Sequence, residues 1–220
     1  MDLPPGKKAI GSRMIYDVKL NPDFSISRWK ARLVAKGYQQ QFGVDYLETF
    51  APVATINSVR TILSIAAIED MELSHLDVIQ AFLLADIDEE VYIKQPEGYV
   101  VEGQESKVCR LNKALYGLKQ APYLWNTKLI GILRDMGLTQ SKTDLCIFTG
   151  HYGGAKVLLS IHVDDMLCAF GTVQSQKMFI EYVASRVDIK NLGSPSYYLG
   201  FEITRNRAER TTYISISRLK

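Results

Sequence analysis

The amino-acid sequence predicts an α+β fold built on a split βαβ (ferredoxin-like) antiparallel sheet with helices on one face. Three observations carry that expectation. The strand at Asp77, the helix from Pro122, the two strands around Asp164, the helix from Thr172 and a final strand, each with its apolar spacing, give the order β-α-β-β-α-β. Two apolar runs, residues 156–163 and 166–170, meet at the acidic pair Asp164-Asp165, as the arms of a buried hairpin would. The 220 residues are 47% hydrophobic and 23% charged with a net charge of +2, the composition of one large globular domain or two small ones. Disorder and fibre are excluded, and a chain of this size buries roughly 70% of its unfolded surface without staples.

The elements follow in order. Residues 13–20 and 29–36 alternate apolar and polar side chains around Asn21-Pro22-Asp23, a hairpin whose second strand carries Lys30, Arg32, Val34 and Lys36 on one face. Asn57 or Ser58 caps a helix with Val59, Ile62, Leu63 and Ala66 on its apolar stripe, ending near Asp70. Strands are expected over 73–78, 91–94 and 107–111. Pro122 opens a helix striped by Trp125, Leu129, Ile132, Leu133 and Met136 and stopped by Gly137. After the acidic hairpin, Thr172 caps a helix carrying Ile180, Val183, Ala184 and Val187. Residues 197–203 and 212–216 are late strands around the basic turn Arg205-Asn206-Arg207. No internal repeat, low-complexity tract or linker interrupts the chain.

Cys109, Cys146 and Cys168 are odd in number, far apart and never in a C-x-x-C pair. They read as reduced core residues of an intracellular protein, not as a disulfide framework or zinc site. No apolar run approaches the roughly 18 residues of a membrane helix, and Met1-Asp2-Leu3-Pro4-Pro5 has no signal-peptide core, so no membrane partner is expected. Charge is sorted in blocks: residues 1–42, 43–102, 103–142 and 143–220 carry +5, −10, +5 and +2. An acidic block between basic ones suits a carboxylate-lined cation site flanked by phosphate-binding surface, and equally suits solvated faces of unequal composition.

Three carboxylates interrupt strands that otherwise look buried: Asp77 within Ser74-His75-Leu76-Asp77-Val78, and Asp164 with Asp165. Buried carboxylates are costly unless a cation or donor compensates them. In the expected sheet the strand of Asp77 lies beside the acidic hairpin, making one cluster suited to hard divalent cations, above all Mg²⁺ completed by water and substrate phosphates. Two such ions about 3.5–4 Å apart serve phosphoryl transfer. Taken alone, Asp164-Asp165 also fits a plain polar turn.

Read together, several stretches resemble the reverse transcriptases of copia-type (Pseudoviridae) LTR retrotransposons. They are Lys7-Lys8-Ala9-Ile10-Gly11-Ser12, Lys30-Ala31-Arg32-Leu33-Val34-Ala35-Lys36-Gly37-Tyr38 and Glu48-Thr49-Phe50-Ala51-Pro52-Val53-Ala54. Leu76-Asp77-Val78 with Ala81-Phe82-Leu83 follows, then Val91-Tyr92-Ile93-Lys94-Gln95-Pro96-Glu97-Gly98-Tyr99 and Leu115-Tyr116-Gly117-Leu118-Lys119-Gln120-Ala121-Pro122. Val163-Asp164-Asp165 and Tyr198-Leu199-Gly200 complete the set in the family's order over nearly the whole chain.

The resemblance implies a polymerase palm (about 71–87 and 121–220) with partial fingers (about 1–70 and 88–120) and no thumb. It implies an RNA-directed DNA polymerase core that adds dNTPs to a primer 3′-hydroxyl on an RNA or DNA template. Asp77, Asp164 and Asp165 would be catalytic, holding two Mg²⁺ ions, with Mn²⁺ as a substitute, assisted by the carbonyl of Val78. Phe82 resembles the steric gate against a ribose 2′-hydroxyl, although by itself it reads equally as a core aromatic. Lys30 and Arg32 would meet the triphosphate, or are simply solvated strand charges. Gly117 to Pro122, Gln120 among them, would line the templating base and primer terminus, with Lys119 near phosphate, and Tyr198, Leu199 and Gly200 would form the primer grip. Partners would include the integrase and ribonuclease H regions of the parent polyprotein, in cytoplasmic virus-like particles or the nucleus.

The sequence also departs from the family's pattern. His162 stands where Tyr or Phe usually precedes the acidic pair by two, Thr55 where Arg usually follows Phe-Ala-Pro-Val-Ala, and Leu84-Ala85 where Asn-Gly is common. Two other readings remain: a truncated or decayed palm that binds nucleic acid without polymerising, and a two-metal phosphoesterase. The second is raised by His75 and His162, each two residues before an aspartate, and weakened because only His151 remains as a further imidazole.

Overall fold

A computed structural model describes residues 1–21 and 23–216. Its elements in chain order begin with β1 (Ala9–Ile10), β2 (Ser12–Leu20), β3 (Ile26–Ala35), α1 (Ile56–Ile68), β4 (Glu72–Val78) and α2 (Ala81–Leu84). Next come β5 (Tyr92–Lys94), β6 (Val108–Arg110), α3 (Ala121–Asp135), β7 (Thr139–Gln140), β8 (Ile147–Tyr152) and β9 (Ala155–His162). The order ends with β10 (Asp165–Phe170), α4 (Val173–Ala184), β11 (Ile189–Asn191), β12 (Tyr197–Tyr198), β13 (Phe201–Asn206) and β14 (Thr211–Ile216). Two compact units interleave: Met1–Ala51 with Phe82–Thr127, and Pro52–Ala81 with the chain from Lys128 onward. Residues 52–81 belong to the second unit, to which they contribute α1 and β4. No helix among the described residues is long and apolar enough to cross a membrane.

In the first unit, β2 and β3 form the expected hairpin, with a register shift between Lys19 and Leu20. Within its turn, Pro22 lies outside the described residues, while Asn21 and Ser25 are joined by their side chains at 2.9 Å. Lys36 lies beyond the strand, so Lys30, Arg32 and Val34 keep the alternation without it. A second sheet orders β1-β5-β6, with β1 parallel to β5. The end of β3 is fastened to the loop before α3: Ala35 N–H donates to the Tyr116 carbonyl at 2.8 Å. That contact leaves no room for side chains. A Cβ on Gly117 (φ +86°) would lie 2.2 Å from the Ala35 oxygen, and one on Gly37 would lie 2.0 Å from the Gly117 oxygen.

The second unit is built on a six-stranded sheet of order β11-β4-β10-β9-β8-β7, every neighbour antiparallel. Its central strands are apolar on both faces, and such strands need cover on both sides. On one face Leu73, Leu158, Leu167 and Ala169 pack with Val59, Ile62, Leu63 and Ala66 of α1 and with Tyr198 and Ile203. On the other, α4 meets the sheet: Gln176 Nε2 donates to Ser74 Oγ at 2.7 Å, and the Phe179 ring lies 5.1 Å from that of Phe170. The expectation of helices on one face concerned those from Pro122 and Thr172; α1, expected outside this sheet, adds cover on the face opposite α4. The last strand of the sheet is β11. Residues 197–203 instead break at Leu199-Gly200 into β12 and β13, which pair with β14 in a separate sheet. Leu199 and Gly200 have φ of 47° and 87°, the positive pair a two-residue I′-type loop requires.

Local chemistry fixes the ends of these elements. The cap of α1 is Thr55, not Asn57 or Ser58. Thr55 has extended backbone and its hydroxyl accepts from Ser58 N–H at 3.2 Å. The Ser58 hydroxyl instead donates to Asp144, whose carboxyl burial would raise in pKa but whose hydrogen bonds, Ser58 foremost, hold it below the ordinary value. Thr172 caps α4 as expected, accepting from Ser175 N–H at 3.1 Å. Cys146 and Cys168 are buried, with burial pushing the Cys146 thiol up to about 12 and Cys168 upward too, but Cys109 is exposed on β6 and is not a core residue.

The carbonyls at the C-terminal end of α1 receive guanidinium donors from the β13–β14 ribbon. Arg205 donates to Ala66 O at 3.0 Å and Met71 O at 2.6 Å, and Arg210 donates to Ile68 O at 3.1 Å. Asp70, at φ 51°, joins Arg205 and Arg207, and Arg207 also forks onto Glu72. The basic turn lies at residues 207–210, because Arg205 and Asn206 are still paired in β13. Cations at a helix C-terminus complement its dipole. The Arg205 side chain is 12% exposed against 46% for Arg207, and burial decides their worth. Arg205→Ala takes the guanidinium donor from Met71 O, while Ala66 O keeps the Met71 N–H, and is expected to cost about 2–3 kcal/mol in urea unfolding, whereas Arg207→Ala costs less than about 1 kcal/mol. Equal losses would contradict this hierarchy.

Candidate active site

The three carboxylates meet where β4 and β10 run side by side. Asp77 is the cross-strand partner of Asp165, and Val78 N–H donates to the Asp164 carbonyl at 2.8 Å. The hairpin tip is Val163-Asp164, not Asp164-Asp165: Asp165 already pairs with His162 as the first residue of β10. Val163 has φ 59°, a left-handed conformation at the first loop position, where glycine is the usual residue. A β-branched residue there is strained, and such strain concentrates at functional sites. Burial, and then the charges of Asp165 and Asp77, raise the Asp164 carboxyl above its ordinary value.

Because cross-strand partners share a face, one row runs Lys190, Asp77, Asp165, His162 over β11, β4, β10 and β9. His75, two residues before Asp77 on that face, brings Nε2 to 2.7 Å from Asp165 Oδ1. Its ring meets Tyr198 edge-on, centroids 5.2 Å apart. Tyr198 is buried on β12, and burial, followed by the charge of Asp165, pushes its hydroxyl upward in pKa. His162 Nδ1 is buried with no hydrogen-bond partner. Lys190 escaped the sequence reading because the short strand β11 carries no alternation long enough to register. His75 was noticed only for its spacing to Asp77.

Among the described residues, no three His, Cys, Asp or Glu side chains form a ready-made metal cluster. The donor chemistry nevertheless fits Mg²⁺: hard carboxylate oxygens, one of them disfavoured as an anion by burial and then by its acidic neighbours, for an ion that keeps several waters and recruits substrate phosphates.

In the first unit, Lys19 faces Arg28 across the hairpin, and Lys30 and Arg32 follow on the same face of β3. Asp17 is the cross-strand partner of Lys30, yet burial and then the charges of Lys19, Arg32 and Arg28 lower the Lys30 pKa, so cations outnumber the counter-charge on this face. The Arg32 guanidinium lies 5.7 Å from the Tyr116 ring centre, and half-buried Phe82 meets the same ring edge-on at 5.2 Å. Tyr116, to which no role was given from sequence, thus joins two residues that were. Lys119 Nζ donates to Tyr46 Oη at 3.1 Å and sits over its ring. Gln120 is 1% exposed, its oxygen accepting from Gln40 and its nitrogen donating to Asp45 O, so its side chain holds the loop.

The described residues form a mixed α+β structure with four α-helices and several sheets, consistent with a reverse-transcriptase domain. The family described as reverse transcriptase (RNA-dependent DNA polymerase) matches residues 1–217, and the chain belongs to it. Among retrotransposon relatives, the retrovirus-related Pol polyprotein from transposon TNT 1-94 of Nicotiana tabacum is 38% identical over 98% of this chain and 16% of its own length. That from transposon RE2 of Arabidopsis thaliana is 39% identical over 92% of this chain and 14% of its own. The putative transposon Ty5-1 protein YCL074W of Saccharomyces cerevisiae is 30% identical over 58% of this chain and 42% of its own length. The chain therefore spans about a sixth of the tobacco polyprotein.

The raised Asp164 carboxyl has a signed consequence. Its folded-state pKa lies above the ordinary 3.8, so its contribution to stability is present below that value and is lost as pH rises through the folded value. Asp164→Asn removes the penalty. In metal-free buffer the variant's thermal midpoint is expected to exceed the parent's at pH 7, with the difference closing as pH falls toward 3.8. A difference independent of pH in circular-dichroism melts would contradict it.

Proposed function

We propose that this chain is the core of an RNA-directed DNA polymerase, a palm with partial fingers, that extends a primer 3′-hydroxyl with dNTPs during retrotransposition inside the cell. The observation that carries the reading is the β4–β10 register, which sets Asp77 opposite Asp165 with Asp164 on the adjoining tip. Asp77 and Asp164 would hold two Mg²⁺ ions with the Val78 carbonyl, and Asp165 would add its charge beside them, with Mn²⁺ as a substitute. When bound, such ions activate the attacking oxygen and steady the leaving one.

The chain's own residues do the rest. Lys30 and Arg32 neutralise the triphosphate, and the surplus of cations around Lys30 supports this. Arg32 is the better bidentate partner, held by the Tyr116 ring. Phe82, braced by Tyr116, excludes the ribose 2′-hydroxyl. Lys119 lies near phosphate and Gln120 shapes its loop, while Tyr198-Leu199-Gly200 forms the tight hairpin of a primer grip. Template and primer, and the integrase and ribonuclease H regions of a parent polyprotein, are the partners, in cytoplasmic virus-like particles or the nucleus. A phosphoesterase is disfavoured because the Nε2 of His75 is engaged by Asp165 and His151 lies on β8 opposite Lys156, at the far end of β9 from His162.

Primer extension on an RNA template with Mg²⁺ tests the reading. Asp77→Asn is expected to lower extension at least about a hundredfold, equivalent to about 2.7 kcal/mol, without unfolding the protein. Extension within threefold of the parent would overturn the mechanism, and a folded parent that binds primer–template without extending it would favour the non-polymerising palm. Phe82→Ala should lower the kcat/KM ratio of a dNTP to its rNTP at least about tenfold. An unchanged ratio in an active variant would make Phe82 a packing residue.

A further inference from the structure

We infer that His75 is a positioning residue that fixes Asp165 and couples it to the strand carrying Tyr198. The inference rests on the polymerase reading for its consequence but on the geometry of the second unit for its substance. His75 pairs with Leu167 across the β4–β10 ladder, and Asp165 is two residues before Leu167, so imidazole and carboxylate are diagonal neighbours on one face. Nε2 and Oδ1 are 2.7 Å apart. The side chains are 14% and 32% exposed, so water screens the contact incompletely.

The imidazole is itself held. Its ring stands at 87° to that of Tyr198, which is 1% exposed and immediately precedes the tight Leu199-Gly200 loop. One chain of contacts thus runs from β12 through the Tyr198 ring and the imidazole to Asp165, and across the ladder to Asp77. The consequence is geometric. With Oδ1 committed to His75, Asp165 presents a charge of fixed position beside Asp77 and Asp164. A freed Asp165 would rotate, competing for a cation in some rotamers and withdrawing its charge in others. Buried or half-buried carboxylates that bind metal are oriented by such outer hydrogen bonds, whose loss typically costs 10–100-fold in affinity or activity.

The test compares His75→Leu, which removes the donor, with His75→Gln, whose longer amide still reaches Asp165. Two readouts on the whole chain are needed: Mn²⁺ affinity by electron paramagnetic resonance without nucleic acid, and kcat and KM for a dNTP in primer extension. His75→Leu is expected to weaken Mn²⁺ binding at least about fivefold and lower kcat at least about tenfold with KM within twofold, by the scale of such outer contacts. His75→Gln should restore both to within threefold of the parent. If His75→Leu does not fold, His75→Asn, polar but too short for the contact, takes its place with the same expectation.

Leu and Gln variants indistinguishable from each other, whether both impaired or both normal, would overturn the positioning role. Extension retained by Asp77→Asn would overturn the polymerase reading instead, and the Mn²⁺ comparison would still decide the role of His75. A parent chain that binds no Mn²⁺ would overturn both.

Discussion

The second unit depends on the antiparallel register of β4 and β10, because that register forces like charges together and must be held against them. A cross-strand pair of like charges is unfavourable by about 0.2–1 kcal/mol. The same ladder buries Leu73, Leu76, Met166 and Leu167 to 4% exposure or less. Each fully buried side chain of that size contributes roughly 1.5–3 kcal/mol, so the apolar length of the strands outweighs the repulsion at their end. The acidic cluster is tolerable because it sits at the extremity of a ladder whose remainder is dry. Cover on both faces, by α1 with the β12–β14 sheet and by α4, follows from the same need.

The first unit solves a different problem. Its hairpin gathers Lys19, Arg28, Lys30 and Arg32 while the end of β3 is fixed by backbone contact with the loop after Leu115. Two glycines without room for a Cβ allow that approach, and the Gln40–Gln120 pair satisfies the polar groups it buries. Mobile lysines on a solvated strand would hold an anion loosely. Anchoring the strand at its end gives Arg32 a defined place over Tyr116.

Much of this was legible in the sequence, and the failures have physical causes. Asp77, Asp164 and Asp165 stood out because charge inside apolar strands has few structural uses, and the β4–β10 register sets Asp77 opposite Asp165. Alternation revealed the hairpin and the stripe on α1, since both patterns extend over several periods. Strands β1, β7 and β11, of two or three residues, are too short to leave a pattern. The break at Leu199-Gly200 was missed because Leu rarely adopts positive φ, and Thr55 because the cap competed with the equally good Ser58 nearby. The second cover of the sheet, by α1, was missed because its stripe shows that it is buried but not against which element. Tyr116 and His75 act through contacts between distant segments, which no local pattern encodes.

The three thiols give the molecule an internal reporter. Cys109 is open to solvent in the first unit, while Cys146 and Cys168 are sealed in the second, where burial keeps them protonated. Thiolate is the reactive form. An alkylating reagent added to the native chain therefore counts one sulfur quickly, and the other two become countable only when the six-stranded sheet opens. The rate of that second phase reads the local opening of the sheet that carries the carboxylates, without any engineered label.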